Sequence, residues 1–283
     1  MVRLVDWVSY QFVRSLGFSS RWVDTSKGPI HVLEREGTGP LPPLVLQHGL
    51  SSRGTHFRAL IPRLTKHFSR ILIPDLLGHG YSHLPEQGLW GPDVTDSLSE
   101  ALSRVVGDRP AMVFGTSMGG YGLIHFASRH PAQVRGMMLV SPAGAVMPQD
   151  EFQAMLSRFT VRNRDDARVF MGRVFAGKMP LEPIVASIIE GQLNQPHIHG
   201  FIEAMGEHDY IRPPVLEKLT MPTRMYWGLD EKLFTDSDLQ YYSRHIPDVQ
   251  VLRPEGWGHS PFSERPAEVA EHILDFAQEL DSR

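Results

Sequence analysis

Ala111-Met112-Val113-Phe114-Gly115-Thr116-Ser117-Met118-Gly119-Gly120 is the stretch on which the reading of this chain turns. Four apolar residues read as a short buried strand, and Gly119 to Arg129 reads as a helix that opens directly after it. Between them Gly115-Thr116-Ser117-Met118-Gly119 matches G-x-S-x-G in the setting that motif requires. A serine on so tight a strand-to-helix turn has a strained backbone and a hydroxyl that stands clear of the sheet. Side chains two positions before and after it would collide with neighbouring backbone, so both places are Gly. The helix start also aims amides and positive dipole at the reacting centre. Ser117 is therefore the expected nucleophile. The bland alternative is a Gly-rich turn that merely packs a helix on a strand.

The same strand-then-turn pattern recurs outward from this point. Arg21 to Asp24 and Ile30 to Arg35 read as an early hairpin around Lys27-Gly28. Short apolar runs follow at Leu44 to Gln47, Arg70 to Ile73, Met137 to Val140, Met225 to Trp227 and Val249 to Leu252, each closed by turn residues. Such runs suit parallel strands buried on both faces. Helical patterns separate them, at Ser97 to Val106, Gly119 to Arg129 and Ala267 to Leu280, which argues for an α/β sheet built from parallel crossovers. Residues 145–212 hold three or four helical patterns and no convincing strand, with Asp150 and Asp165 read as caps. They read as a helical cap inserted into a core of residues 19–144 and 213–283.

Composition removes several function classes. With 41% hydrophobic and 21% charged residues over 283, the chain is neither disordered nor fibrous. A net charge of −4 lacks the basic excess of a nucleic-acid binder, so no nucleic-acid partner is expected. The absence of cysteine excludes disulfides, thiolate metal sites and cysteine nucleophiles. His197-x-His199 with His208-Asp209 fits no strong metal signature, and no phosphate-binding Gly loop is present, so neither a metal nor a cofactor is expected. No apolar run reaches the length of a membrane span, and the first residues lack a signal-peptide pattern. The expectation is a cytoplasmic chain or one peripheral to a membrane. Residues 1–18 form an amphipathic pattern, with Leu4, Val5, Val8, Phe12 and Leu16 on one stripe. That stripe either packs on the protein's own body or touches lipid.

A serine needs a base, and the base needs an orienting carboxylate. His259, in the loop Gly256-Trp257-Gly258-His259 after the last strand, lies where an open α/β sheet places its site. Asp230, after Gly228-Leu229, is the expected carboxylate. Its rivals Glu231, Asp236 and Asp238 read as caps and solvated faces of the next helix. An oxyanion hole needs two amides. Met118 supplies one, and Leu50 in His48-Gly49-Leu50-Ser51 is the candidate for the other. His48 and Gly49 border the substrate, His48 shaping that loop rather than moving protons.

Taken together, these pieces resemble the α/β-hydrolase superfamily over nearly the whole chain, from Arg21 to Leu280. They are His48-Gly49, Asp75-Leu76-Leu77-Gly78-His79-Gly80-Tyr81-Ser82, Gly115 to Gly120, Gly228-Leu229-Asp230 and Gly258-His259, in that order. The resemblance implies an eight-stranded, mostly parallel sheet with the cap inserted after strand six, and Ser117, Asp230 and His259 as the triad. The elbow is similar to that of monoacylglycerol-lipase-like carboxylesterases. It is also similar to that of carbon–carbon hydrolases of ring-cleavage products, which often carry Asn where this chain has Thr116. Serine rather than aspartate at the nucleophile departs from the haloalkane-dehalogenase and epoxide-hydrolase pattern. The expected activity is hydrolysis of apolar acyl or aryl esters, or of lipid-like esters, through an acyl-enzyme. The alternatives are carbon–carbon bond hydrolysis and a non-catalytic protein that binds ligands in the same pocket. Apolar cap residues, among them Met155, Phe159, Phe170, Ile184 and Ile189, are expected to supply the pocket walls.

Overall fold

The computed structural model describes residues 2–282, with side chains from residue 5 onward. Among the described residues eight strands form one sheet: β1 (Ser19–Val23), β2 (Ile30–Glu36), β3 (Leu44–Gln47), β4 (Arg70–Pro74), β5 (Ala111–Thr116), β6 (Val134–Val140), β7 (Thr223–Tyr226) and β8 (Val249–Leu252). Their spatial order is β1-β2-β4-β3-β5-β6-β7-β8. β1 pairs β2, and β2 pairs β4, antiparallel. All the remaining pairings are parallel.

The helices are α1 (Val2–Ser15), α2 (Ile61–Leu64), α3 (Gly91–Val105), α4 (Met118–Arg129), α5 (Gln149–Arg158), α6 (Arg164–Val174), α7 (Glu182–Leu193), α8 (Pro196–Ala204), α9 (Pro213–Leu216), α10 (Asp236–His245), α11 (Pro261–Glu264) and α12 (Pro266–Ser282). Between β6 and β7 the chain runs through α5 to α9 without a strand. α5 starts after Pro148, with Asp150 in its first turn rather than at its cap. The cap of α6 is Asn163, whose side chain accepts from the amides of Asp165 and Asp166.

Alternation along the strands divides the core in two, because successive side chains point to opposite faces. Val45, Val113, Met137 and Leu139 pack with α3, α4 and the inserted helices. Leu44, Leu46, Met112, Phe114, Met138 and Val140 pack with Phe57, Ile61 and α12. Several strands run further than apolar counting suggests, β6 and β7 among them. β6 reaches back to Val134, which pairs with Ala111. β7 starts at Thr223, because pairing with Met137 recruits a Thr-Arg step that an apolar count passes over.

The N-terminal helix packs on the body of the protein. Its body-facing residues are Ser9 and Val13, both buried, with Asp6 and Tyr10 half-buried. Asp6 is paired with Arg53 at 2.8 Å, and the Tyr10 hydroxyl is hydrogen-bonded to Ser20 Oγ at 2.7 Å. The apolar stripe read from sequence is split. Leu16 is half-buried against the core, and Val5, 37% exposed, borders a groove beside Asp6 and Ser9. Val8 and Phe12 are 52% and 43% exposed, as is Trp7 at 56%, and the Leu4 side chain lies outside the described residues. The inward face is mixed: Val13 is fully buried in the core with Tyr10 and Leu16 packed beside it, and the polar groups of Asp6 and Tyr10 find polar partners there.

Candidate active site

Ser117 sits between β5 and α4 with φ 53° and ψ −126°, a backbone that L side chains rarely adopt. The elbow is held on three sides. Ser117 N donates to Val140 O, and Ser117 O accepts from the amides of Tyr121 and Ala143. The flanking glycines are steric necessities. A Cβ at Gly115 would stand 3.0 Å from the Gly119 backbone, and one at Gly119 would stand 2.4 Å from the carbonyl oxygen of His48. That second approach brings the start of α4 against the end of β3, so the loop after β3 lies beside the nucleophile. Gly49 is its point of contact, where a Cβ would meet Ser117 Cβ at 3.1 Å.

The loop after β3 is built around a buried imidazole. His48 Nε2 accepts from the amide of Leu76 at 3.1 Å, so the ring proton sits on Nδ1, which donates to Gly49 O at 2.9 Å. Burial holds the His48 pKa below its usual value and keeps the ring neutral, against the nearby Asp75. His48 is fully buried. The expectation that His48 borders substrate is thus corrected: it braces the loop from behind, while Gly49 packs against Ser117. Ser51, next to Leu50, has φ 57° and adds a second strained residue at this edge. Leu50 and Met118 line one cavity together with Ser117. Met118 opens α4, so its amide is one of the donors a helix leaves unpaired.

At the other side of the site, His259 Nδ1 is hydrogen-bonded at 2.8 Å to Glu231 Oε2, with both side chains buried. This corrects the expected Asp230. The turn after β7 is fixed by Gly228, whose Cβ would lie 1.9 Å from Trp257 O, and by the amide of Asp230 donating to that same oxygen. In this register Asp230 Oδ2 accepts from the amide of Gly256 and ties two loops together. One residue later the chain turns inward and delivers Glu231. Burial alone would push the Glu231 carboxyl up, but the charge and hydrogen bond of His259 and the amide of Leu233 hold it below its ordinary value. An ionised Glu231 accepts a hydrogen bond from Nδ1–H and leaves Nε2 as the basic nitrogen. Thr116 Oγ1 donates to His259 O at 3.5 Å, so the residue before the serine touches the histidine's own backbone. Asp238 caps α10 through Thr235, and Asp236 pairs with Arg253.

The cavity over Ser117 is apolar. Met147, Phe152, Met155, Phe159, Phe201, Met205 and Phe234 contribute to its walls. Of the cap residues expected from sequence, Met155 and Phe159 reach it. Phe170, Val174, Phe175, Ile188, Ile189 and Leu193 line a second groove instead, and Ile184 is 40% exposed. Phe201 and Met205 were not singled out by sequence, although their four-residue spacing is the helical signal that finds them.

Residues 44–272 match the alpha/beta hydrolase family. The chain belongs to this family. Among relatives of this hydrolase, human monoacylglycerol lipase ABHD6 is 22% identical over 311 residues, covering 98% of this chain and 86% of that protein. The pimeloyl-acyl-carrier-protein methyl ester esterase of Xanthomonas campestris pv. campestris is 26% identical over 254 residues, covering 84% of this chain and 96% of its own. Among solved structures, that of a membrane phospholipase A, a bacterial virulence factor, superposes with a TM-score of 0.83 at 26% identity. That match covers 100% of this chain and 92% of the other. No helix among the described residues is long and apolar enough to cross a membrane.

Proposed function

We propose that this hydrolase cleaves carboxylic esters of apolar acyl or aryl groups through an acyl-enzyme on Ser117. The observation that carries the reading is a strained elbow serine open to an apolar cavity, one wall of which, Phe234, packs on an imidazole held by a buried carboxylate. His259 Nε2 takes the Ser117 proton as Oγ attacks the ester carbonyl. Glu231 holds the ring tautomer and stabilises the imidazolium that forms. The amides of Leu50 and Met118 receive the developing oxyanion. The imidazolium passes its proton to the departing alcohol. His259 then deprotonates a water molecule, which hydrolyses the acyl-enzyme and frees the acid. The names of the monoacylglycerol lipase and methyl ester esterase relatives agree with this reaction class.

Carbon–carbon hydrolysis of an anionic ring-cleavage product is the weaker reading. Among the described residues the cavity over Ser117 holds Asp209 and Asp238 and no Lys or Arg to receive a carboxylate. A fluorophosphonate probe with a panel of aryl and alkyl esters tests the assignment. Stoichiometric labelling at Ser117, lost in Ser117→Ala together with ester turnover, is the expected result. Full esterase activity in Ser117→Ala would overturn it, and absence of labelling in folded protein would favour a pocket-binding protein.

We further propose that the outward face of α1 rests on a lipid surface. Trp7, Val8 and Phe12 are exposed apolar residues on a helix anchored to the body by Val13 and by the Asp6–Arg53 pair.

A further inference from the structure

One short segment, Val140-Ser141-Pro142-Ala143, joins the serine elbow to the strand that delivers the carboxylate. Val140 O accepts from the Ser117 amide, and the Ala143 amide donates to Ser117 O. Pro142 lies on the start of α4, where a Cβ on Gly120 would stand 2.9 Å from Pro142 Cβ. Between these contacts the Ser141 amide donates to Tyr226 O at the end of β7, just ahead of the turn that brings Glu231 inward. Ser141 is fully buried and has φ 41°, a conformation that costs a serine free energy. Such strain persists where the surroundings over-determine it, and the backbone bonds at residues 140, 141 and 143 do so.

The Ser141 hydroxyl has no partner at full hydrogen-bond geometry among the described residues, a costly state for a buried polar group. Glu231 beside it has room for a donor. The amides of Leu233 and Phe234 occupy Oε1, and His259 takes Oε2. A carboxylate offers about four acceptor positions, so one is left, and a hydroxyl turns freely enough to present its proton there. Burial pushes the Glu231 carboxyl up; the charge and hydrogen bond of His259, and then the Ser141 hydroxyl, hold it below its ordinary value. We propose that Ser141 is a positioning residue of the same reaction, whose hydroxyl donates to Glu231 and fixes the plane in which that carboxylate meets His259 Nδ1. The assignment rests on the acyl-enzyme reading above. Ser141 acts through Glu231 and touches neither the substrate nor the reacting atoms. Its bond keeps the carboxylate from turning away as the imidazolium forms and withdraws, and its rigid backbone keeps that carboxylate in register with the elbow.

Ser141→Ala deletes the hydroxyl, and Ser141→Gly deletes it while suiting the backbone. Both should lower kcat on an aryl ester by about five- to fiftyfold and leave KM within about twofold. In a Glu231→Ala background the same two substitutions should cost less than about twofold, because the acceptor they act through is gone. A second readout needs no turnover: with isotope-labelled histidine, the Nδ1–H proton of His259 should move in the NMR spectrum of both variants. A Ser141→Gly protein at the wild-type rate overturns the proposal, since backbone geometry would then be all that residue 141 supplies. Equal losses with and without Glu231 overturn it as well. Either result, with wild type hydrolysing esters, leaves the ester reading standing. If wild type turns over no ester, the ester reading falls by itself. A His259 proton displaced in both variants then still upholds the Ser141–Glu231 contact, and an unmoved proton overturns it.

Discussion

Glu231 Oε2 lies 2.8 Å from His259 Nδ1, while Asp230, its neighbour in sequence, accepts from the Gly256 amide at 3.1 Å. Two adjacent carboxylates thus have separate tasks, one on the imidazole and one on the loop that presents it. Glu231→Gln should lower kcat by about 10²–10⁴-fold, since the charge that stabilises the imidazolium is lost. With the amide oxygen held by the Leu233 and Phe234 amides, the NH2 group also faces Nδ1 and selects the wrong tautomer. Asp230→Asn keeps an oxygen for Gly256 and should stay within about threefold of wild type. Steady-state kinetics on one ester decides between them, and the reverse ranking would return the role to Asp230.

Gly49 faces Ser117 at a distance where a methyl group must displace something. Gly49→Ala should therefore reduce kcat by about tenfold or more by misplacing the serine or the Leu50 amide. The fold should hold, so thermal unfolding and fluorophosphonate labelling are measured on the same sample. An unchanged kcat would mean the loop gives way without consequence.

His79 is buried, and its pKa is pushed down to about 3, chiefly by burial, with the nearby His48 acting in the same direction. Its Nδ1 donates to Leu77 O, which only a neutral or fully charged ring with that proton can do, and burial selects the neutral form. The folded state therefore resists the proton that the unfolded chain accepts near its ordinary value of 6.5. Stability should be level above pH 7 and fall as pH drops from about 6.5 towards 3. His79→Gln should make that slope shallower in a series of melting curves, without abolishing it, because His56 and His125 are also pushed down, to about 3 and about 4. A wild-type midpoint independent of pH across this range would contradict the argument.

Trp7, Val8 and Phe12 form most of the exposed apolar face of α1. Replacing all three with Ser should leave stability within about 1 kcal/mol, because none is buried. It should also lower sedimentation with phosphatidylethanolamine–phosphatidylglycerol vesicles by about tenfold or more. Wild-type protein that stays in the supernatant, or a triple variant that still pellets, would remove the lipid surface from the account.

Most of the sheet was legible because central parallel strands are apolar on both faces and end in Gly, Pro or Asp. β3 and β8 have the ends the pattern gives. The seats of Ser117 and His259 follow from the same punctuation, at the ends of β5 and β8. Glu231 was not legible as the partner of His259. Which of two consecutive carboxylates turns inward depends on the contact of Gly228 with the Trp257 backbone, a register set between distant segments. α1 shows the same limit. A helical wheel reveals two faces, but which one meets the body was decided by Arg53 and Ser20, far away in sequence.

Tyr10 belongs to a chain of hydrogen bonds that passes through Ser20 Oγ, His31 and Asp75 Oδ2, while Asp75 Oδ1 accepts from the Gly54 amide, four residues beyond Leu50. With the Asp6–Arg53 pair, the first helix is moored twice to the segment that flanks the oxyanion loop. Clipping off the opening fifteen residues, or fusing a bulky affinity handle ahead of them, therefore slackens both moorings at once. An assay on such a shortened or tagged preparation would report a reaction centre whose ropes have been cut.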